Sequence, residues 1–149
     1  YRYDAAAGAL RLAGNLLSAT TFPADSGLVL QASGRPRGPV PRRALVLLPL
    51  PSFPGCVVRA RAVGVYLRRP DDAARAADEA DVGPLLCVPC ADPSAESTTS
   101  VEQVPAALLA EIAHFLHAHL ELGGPAGARA GWGWAGPAEA ARLLSAGPG

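Results

Sequence analysis

The sequence contains no lysine and no methionine, and all 13 of its basic residues are arginine. The absence of lysine excludes any chemistry that needs a lysine amine, whatever the fold. The formal net charge is +0 at pH 7. This balance argues against a general nucleic-acid-binding protein, whose affinity comes from neutralising phosphates. No run of about 18 apolar residues occurs either, so the sequence predicts no membrane span.

Cysteine is scarce as well, with three residues in a chain of 149. An odd number in a chain of this length argues against a secreted disulfide framework. Cys87 and Cys90 form a CxxC motif, but a structural zinc site needs two further ligands and a redox pair needs a helix start after the first cysteine. Because Cys87 falls in a predicted buried strand, a functional role for this motif is the less favoured interpretation.

The first part of the chain is rich in short apolar segments separated by proline and glycine. They predict a hairpin within residues 1–14 and strands at 27–32, 44–49, 55–69 and 84–89. Gly64 lies inside the longest of these segments and indicates a bulge or bend. Many short strands at close spacing are typical of a small barrel.

The hydrophobic period changes after a polar linker at about 91–104. Leu108, Ile112 and Phe115 follow helical spacing and predict a helix over about 105–122. A second helix is predicted at about 137–145, and the glycine-rich stretch with both tryptophans between the helices is predicted as a loop. The sequence therefore predicts a single domain over 1–149, with a barrel at about 1–90 followed by two helices.

The order of short motifs along the chain resembles that of soluble family I inorganic pyrophosphatases. The motifs are GALRL, FPADSG, LVLLPLPSFPGCVVRARAVGV, LLCVP, LAEIAHFLHAHLEL and GWGWAGPAEAARLL. The resemblance implies a mainly β fold with α, a five-stranded OB-like β-barrel flanked by two C-terminal helices. It also implies hydrolysis of pyrophosphate with Mg²⁺ ions that are held by aspartates, while lysine, arginine and tyrosine bind the phosphates.

The same resemblance implies that many positions of the family site have changed. Gly38, Val40 and Arg43 stand where the family has three metal-binding aspartates, and Phe22 and Ser26 stand where it has two tyrosines. Pro84 takes the place of a lysine, and His119 and Leu120 take the places of a tyrosine–lysine pair. An arginine opposes a metal ion, because two like charges at about 4 Å repel by roughly 4 kcal/mol at an effective dielectric near 20. We therefore expect no catalytic or metal-binding residues, no cofactor, and a pseudoenzyme that serves as a structural or accessory subunit of a larger protein assembly.

Two alternatives to an inactive subunit stay open. Asp71, Asp78 or Asp81 could occupy a catalytic place, which would leave a residual Mg²⁺-dependent pyrophosphatase. Alternatively, four arginines at the start of the 44–49 strand could make a metal-free phosphate or anion site, because guanidinium groups match phosphate oxygens. Those arginines are Arg35, Arg37, Arg42 and Arg43, and a contact with a partner protein is the favoured interpretation of them.

Three further residues are candidates for a subunit interface. His114 and His117 lie one helical turn apart on the first predicted helix, and Trp134 belongs to the glycine-rich stretch. No cysteine or carboxylate nearby in the sequence completes a metal site with the histidines. The partners expected at these residues are other protein subunits. The chain begins at Tyr1 and not at methionine, as a processed chain would, which favours an organelle such as a chloroplast or mitochondrion.

Overall fold

The computed structural model describes residues 2–4, 6–12, 22–30, 42–68, 81–119 and 131–145. The strands are β1 (Arg2–Asp4), β2 (Ala9–Arg11), β3 (Asp25–Leu28), β4 (Arg43–Val46), β5 (Ala60–Arg68), β6 (Val82–Pro89) and β7 (Trp132–Ala135). The α-helices are α1 (Ala106–His119) and α2 (Pro137–Ser145), and two short 3₁₀-helices lie at Pro93–Ala95 and Val101–Gln103. Neither α-helix is long and apolar enough to cross a membrane, as far as the described residues go.

Five strands form one sheet in the order β3-β4-β6-β5-β7, while β1 and β2 pair separately as an antiparallel hairpin. Strands β4 and β6 run parallel, and the other pairs in the sheet are antiparallel. The predicted fold class is confirmed: five strands and two C-terminal helices make a mainly β fold with α. Over the described residues the five strands form an open sheet.

The sheet carries a hydrophobic core on each face. Helix α1 covers one face, where Ile112 and Leu116 pack against Leu45 and Leu86. Helix α2 covers the other face, where Leu143 packs with Leu85. The side chains of β6 alternate between the two cores, as the two-residue period of a strand requires. A strand covered on both faces must be apolar on both, which explains the continuous apolar run in β6.

A bulge near Gly64 redirects the side chains of β5. The register with β6 shifts between Ala62 and Gly64, as the glycine predicted. Val63 therefore belongs to the core under α1, whereas Val65 belongs to the core under α2. In a regular strand these two residues would share one face, because successive side chains alternate.

Strand β7 corrects the sequence analysis, which predicted a loop at this position. Trp132–Ala135 pairs antiparallel with β5 and places Trp134 opposite Tyr66. A four-residue segment with a central glycine has weak strand propensity of its own. Pairing with β5 stabilises the strand, and the local sequence does not reveal that partner.

Arg61 fastens the segment between β6 and α1 to the sheet. Its Nη2 atom donates to the carbonyl oxygens of Ala95 at 3.0 Å, Glu96 at 3.2 Å and Thr98 at 3.0 Å. The far end of the same segment buries Val101. The polar linker of the sequence analysis is therefore bound to strand β5 by a guanidinium group.

Candidate functional site

One end of the five-stranded sheet brings together strand termini that are far apart in the sequence. Leu28 at the end of β3 pairs with Arg43 at the start of β4. Strand β6 begins beside β4 and beside the end of β5, and Arg68 at the end of β5 pairs with Trp132 at the start of β7. We call this end of the sheet, formed by Leu28, Arg43, Arg68, Val82 and Trp132, the site end.

Three connections of the chain join the sheet at the site end. Residues 31–41 link β3 to β4, residues 69–80 link β5 to β6, and residues 120–130 lead from α1 into β7. Many of the predicted site residues lie in these connections, outside the described residues: Arg35, Arg37, Gly38, Val40, Asp71, Asp78 and Leu120. The topology thus attaches residues 31–41, which contain Arg35 and Arg37, and residues 69–80, which contain Asp71 and Asp78, to the same end of one sheet.

Two predicted positions meet directly at the site end. In the parallel register Ala44 lies beside Leu85, so Arg43 on β4 is level with Pro84 on β6. Arg43 is exposed, whereas Pro84 is buried within its strand. The Arg43 side chain therefore lies at the surface. Pro84 packs in the core, and its side chain has no group that could donate a hydrogen bond or bind a phosphate.

An ion pair links the strands next to this position. Arg68 Nη1 lies 3.8 Å from Asp81 Oδ1, and the side chain of Asp81 is only 10% exposed. Asp81 was one of three carboxylates considered for a catalytic place, and here it faces the guanidinium at the end of β5. A buried carboxylate needs such a partner, because its desolvation is otherwise costly. The pair holds the start of β6 to the end of β5.

The site end is cationic among the described residues. Arg43 is exposed, the side chain of Arg68 is 46% exposed, and Arg42 is half-buried just before β4. The backbone oxygen of Arg42 accepts a hydrogen bond from the Val29 amide at 2.9 Å. Guanidinium groups at strand ends can bind the oxygens of a phosphate, because their planar donors match its geometry.

The other described positions of the implied family site are occupied in different ways. Phe22 is half-buried, and its ring centroid lies 4.1 Å from that of Phe115 on α1. Ser26 is exposed on β3 and pairs with Leu45. His119 is the last residue of α1. Phe22 thus packs on α1, and Ser26 keeps its hydroxyl at the surface.

Two of the three residues proposed for a subunit interface make contacts inside the chain. His117 Nε2 lies 2.8 Å from the hydroxyl oxygen of Tyr66, and Trp134 Nε1 donates to the Leu109 oxygen at 3.4 Å. Both residues are half-buried, whereas His114 is exposed. Sequence reasoning missed Tyr66, although its place on an alternating strand could have indicated that it faces α1.

The cysteines of the CxxC motif do not form a pair. Cys87 lies within β6 and Cys90 directly follows it. Three residues of extended chain separate their Cα atoms by about 10 Å, whereas a disulfide needs Cα atoms within about 7 Å. Burial, and secondarily Cys90, raises the pKa of the Cys87 thiol to about 11. The Cys87 thiol therefore stays protonated at neutral pH and packs as an apolar side chain in the core under α2.

The described residues do not fit a Mg²⁺ site. Within the parts of the chain that the structure describes, no three His, Cys, Asp or Glu side chains come together to hold a metal ion. Mg²⁺ prefers carboxylate oxygens in octahedral geometry, and Asp81 at the site end already faces Arg68. Carboxylates from residues 69–80 would have to complete such a site.

The fold and sequence match known proteins over nearly the whole chain. A sequence model of the family described as inorganic pyrophosphatase matches residues 1–147. The inorganic pyrophosphatase of Streptomyces coelicolor is 36% identical over 140 residues, covering 94% of this chain and 80% of that protein. The inorganic pyrophosphatase of Geobacillus stearothermophilus is 33% identical over 145 residues, covering 97% of this chain and 81% of its relative.

Solved structures agree with this match. The structure of an inorganic pyrophosphatase from Coxiella burnetii superposes with a TM-score of 0.72 at 26% identity, covering 99% of this chain and 83% of that one. The inorganic pyrophosphatase from Thermus thermophilus gives a TM-score of 0.69 at 28% identity, covering 97% of this chain and 79% of that one. The fold is therefore that of inorganic pyrophosphatases, and the chain belongs to the inorganic pyrophosphatase family.

Family membership corrects the functional expectations of the sequence analysis. The prediction of a pseudoenzyme that serves as a structural subunit is wrong, because the relatives at 33–36% identity over most of the chain are named as the enzyme. The expectation of no cofactor is wrong as well, since inorganic pyrophosphatases depend on Mg²⁺. Nor do these relatives, which are bacterial, support an organelle.

Proposed function

We propose that this protein hydrolyses inorganic pyrophosphate to two phosphate ions in a Mg²⁺-dependent reaction. The observation that carries the proposal is the match of the inorganic pyrophosphatase family over residues 1–147. The cationic site end is consistent with a substrate that carries several negative charges. Mg²⁺, when bound, neutralises phosphate charge and activates water.

Arg43 and Arg68 have a direct role in this proposal: they orient the pyrophosphate at the site end. Arg43 is exposed there and the side chain of Arg68 is 46% exposed, and each guanidinium group can donate two parallel hydrogen bonds to phosphate oxygens. Arg68 also keeps its contact with Asp81, so it is held in place before substrate arrives. Specificity for a diphosphate would follow from the spacing of two such donors.

The first test is phosphate release from pyrophosphate by the purified protein, with Mg²⁺ and with an excess of chelator. We expect release with Mg²⁺ and its loss with chelator. Absence of release under both conditions would contradict the proposal, and so would saturable pyrophosphate binding without any hydrolysis. The second outcome would favour a metal-free anion-binding protein.

Substitution of single arginines tests whether pyrophosphate binds at the site end. Arg43→Ala should raise KM for pyrophosphate about tenfold or more, because a hydrogen bond to a charged group is worth about 1.5–3 kcal/mol. Arg59→Ala is the matched control, since Arg59 is also exposed but lies beside the start of β5, at the opposite end of the sheet. Equal changes in KM for the two substitutions would show that Arg43 does not contact the substrate.

Substitution of single carboxylates tests which segment of the chain binds Mg²⁺. Asp71→Asn and Asp78→Asn should weaken Mg²⁺ binding in a calorimetric titration of the metal alone, if residues 69–80 supply ligands at the site end. Glu96→Gln is the control, because Glu96 is an exposed carboxylate in the segment between β6 and α1. Unchanged Mg²⁺ affinity in both aspartate variants would exclude this segment as the ligand source.

A further inference from the structure

A groove lies between strand β3 and the chain that leads into β5, on the face of the sheet that α2 covers. Its volume is about 430 Å³, within the range of about 300–1,000 Å³ that small-molecule sites occupy. Two core residues form part of its floor, since Leu85 is 1% exposed and Cys87 is 6% exposed. Leu28 and Val57 line it as well and are exposed. We call this depression, whose apolar floor reaches the core, the β3 groove.

Gly27 keeps the middle of the β3 groove open. Gly27 pairs with Ala44 and Asp25 pairs with Val46, and paired residues of neighbouring strands project from the same face of a sheet. Ala44 and Val46 belong to the core under α2, so positions 25 and 27 face the groove. A Cβ atom at Gly27 would meet nothing within 4 Å. The backbone there does not have a positive φ, so the missing side chain leaves space without being required by the conformation.

Asp25 supplies a negative charge to the groove. It is half-buried, and it is the single charged residue among the described residues that line the groove. The Ser52 amide donates to Asp25 Oδ2 at 2.7 Å and fixes the carboxylate. Within the described residues Asp25 has no second partner, so its Oδ1 atom can accept a further hydrogen bond. A half-buried carboxylate attracts a cation more strongly than one in bulk water, because the effective dielectric is lower.

From this shape and charge we propose that the β3 groove binds a small organic cation, a protonated amine on an apolar aliphatic or aromatic body. The ammonium group donates to Asp25, and the apolar body lies on the floor at Leu85 and fills the space beside Gly27. Burial of the apolar body supplies affinity, and the carboxylate selects for positive charge because it repels anions.

The β3 groove differs in place and in charge from the site proposed for pyrophosphate. Asp25 lies beside Val46, the last residue of β4, whereas the site end holds Arg43, the first residue of that strand. The site end is cationic among the described residues, and the groove carries a carboxylate. An anion such as pyrophosphate is therefore disfavoured in the groove, and an organic cation is disfavoured beside Arg43.

Three probes that share one apolar body and differ in charge test the proposal: phenylbutylamine, phenylbutanol and phenylbutyrate. The amine is protonated at neutral pH, because an alkyl amine such as that of lysine has a pKa near 10.4. Each probe is titrated into the full chain, and heteronuclear NMR spectra follow the backbone amides. We expect the amine to bind saturably with a Kd of about 1 mM or lower and to shift the Gly27 and Val57 amides. It should bind about tenfold more tightly than phenylbutyrate.

Two variants separate the role of charge from that of shape. Asp25→Asn keeps an oxygen for the Ser52 amide, and it should weaken amine binding about tenfold while leaving phenylbutanol binding unchanged, because only the ion pair is lost. Gly27→Leu fills the groove and should weaken binding of the amine and of phenylbutanol at least tenfold. The matched controls should change neither affinity. Glu111→Gln removes an exposed carboxylate on α1, and Gly133→Leu adds a side chain on β7, where a Cβ also meets nothing within 4 Å.

Three results would overturn the proposal: no saturable amine binding up to about 10 mM, equal affinities for the amine and phenylbutyrate, or amine binding that Gly27→Leu leaves unchanged. Circular dichroism should show all four variants folded. If leucine at position 27 disturbs the sheet, Gly27→Val gives the same test with a smaller side chain that suits a strand. The readout is the shift of backbone amides, so the result is independent of phosphate release.

Discussion

The hydroxyl oxygen of Tyr66 lies 2.8 Å from Nε2 of His117, and this contact joins the central sheet to helix α1. Tyr66 is 2% exposed, and its ring stacks on Trp132 with centroids 5.4 Å apart. Burial raises the pKa of the Tyr66 phenol above its usual value of 10.0. The phenol therefore keeps its proton at neutral pH and can donate it to a neutral imidazole.

Removing this hydroxyl should destabilise the protein without opening a cavity. We expect Tyr66→Phe to lower the free energy of unfolding by about 1–2 kcal/mol, because it removes the hydrogen bond between the buried phenol and the half-buried imidazole. Urea unfolding measures the loss. In a double-mutant cycle, Tyr66→Phe should cost clearly less when His117 is already alanine. An equal cost in both backgrounds would mean that the contact contributes nothing.

The bulge at Gly64 should not tolerate a side chain. A Cβ atom at this position would lie 2.7 Å from the Ala135 oxygen and 2.9 Å from Val101 Cβ. Strand β7 or the 3₁₀-helix at Val101 would have to move, so Gly64→Ala should cost about 1–3 kcal/mol. Gly27→Ala is the control, because a Cβ there meets nothing within 4 Å. Equal urea midpoints for the two variants would contradict the described packing of β5 against β7.

The buried thiol of Cys87 should make stability fall at alkaline pH. Its pKa is about 11 in the folded protein, above its usual value of 9.0, chiefly because of burial. The unfolded chain therefore loses this proton first, and the stabilisation is complete below about pH 9 and is lost as pH rises toward 11. Between about pH 8.5 and 10.5 the loss should be about 2 kcal/mol.

Two cysteine variants separate the ionisation of the Cys87 thiol from that of other groups. Cys87→Ala should reduce the alkaline slope in the free energy of unfolding, even though it lowers the stability itself, and the slope that is left belongs in part to Tyr66, whose pKa burial also raises. Cys56→Ser should keep the slope, because Cys56 is exposed. Urea midpoints at the two pH values give both results. A slope that Cys87→Ala leaves unchanged would show that another group causes it.

Much of the fold could be predicted from local patterns. The short, continuous apolar run of β6 and the helical spacing of Leu108, Ile112 and Phe115 identify their elements, because burial on two faces or on one face imposes those patterns. Gly64 indicated the bulge that the structure contains. The predicted function was wrong, since single positions such as Arg43 pointed to an inactive protein, whereas the relatives over most of the chain are named as the enzyme.

The sequence by itself determined the family, the main strands and the two helices, because propensity, hydrophobic period and motif order are properties of neighbouring residues. Only the tertiary structure decided that Arg43 lies level with Pro84, that Asp81 faces Arg68, and that Trp132–Ala135 is a strand. Each of these depends on pairing between distant segments. A strand obtains its hydrogen bonds from a partner that its own residues do not specify, so the site end exists only once the sheet is assembled.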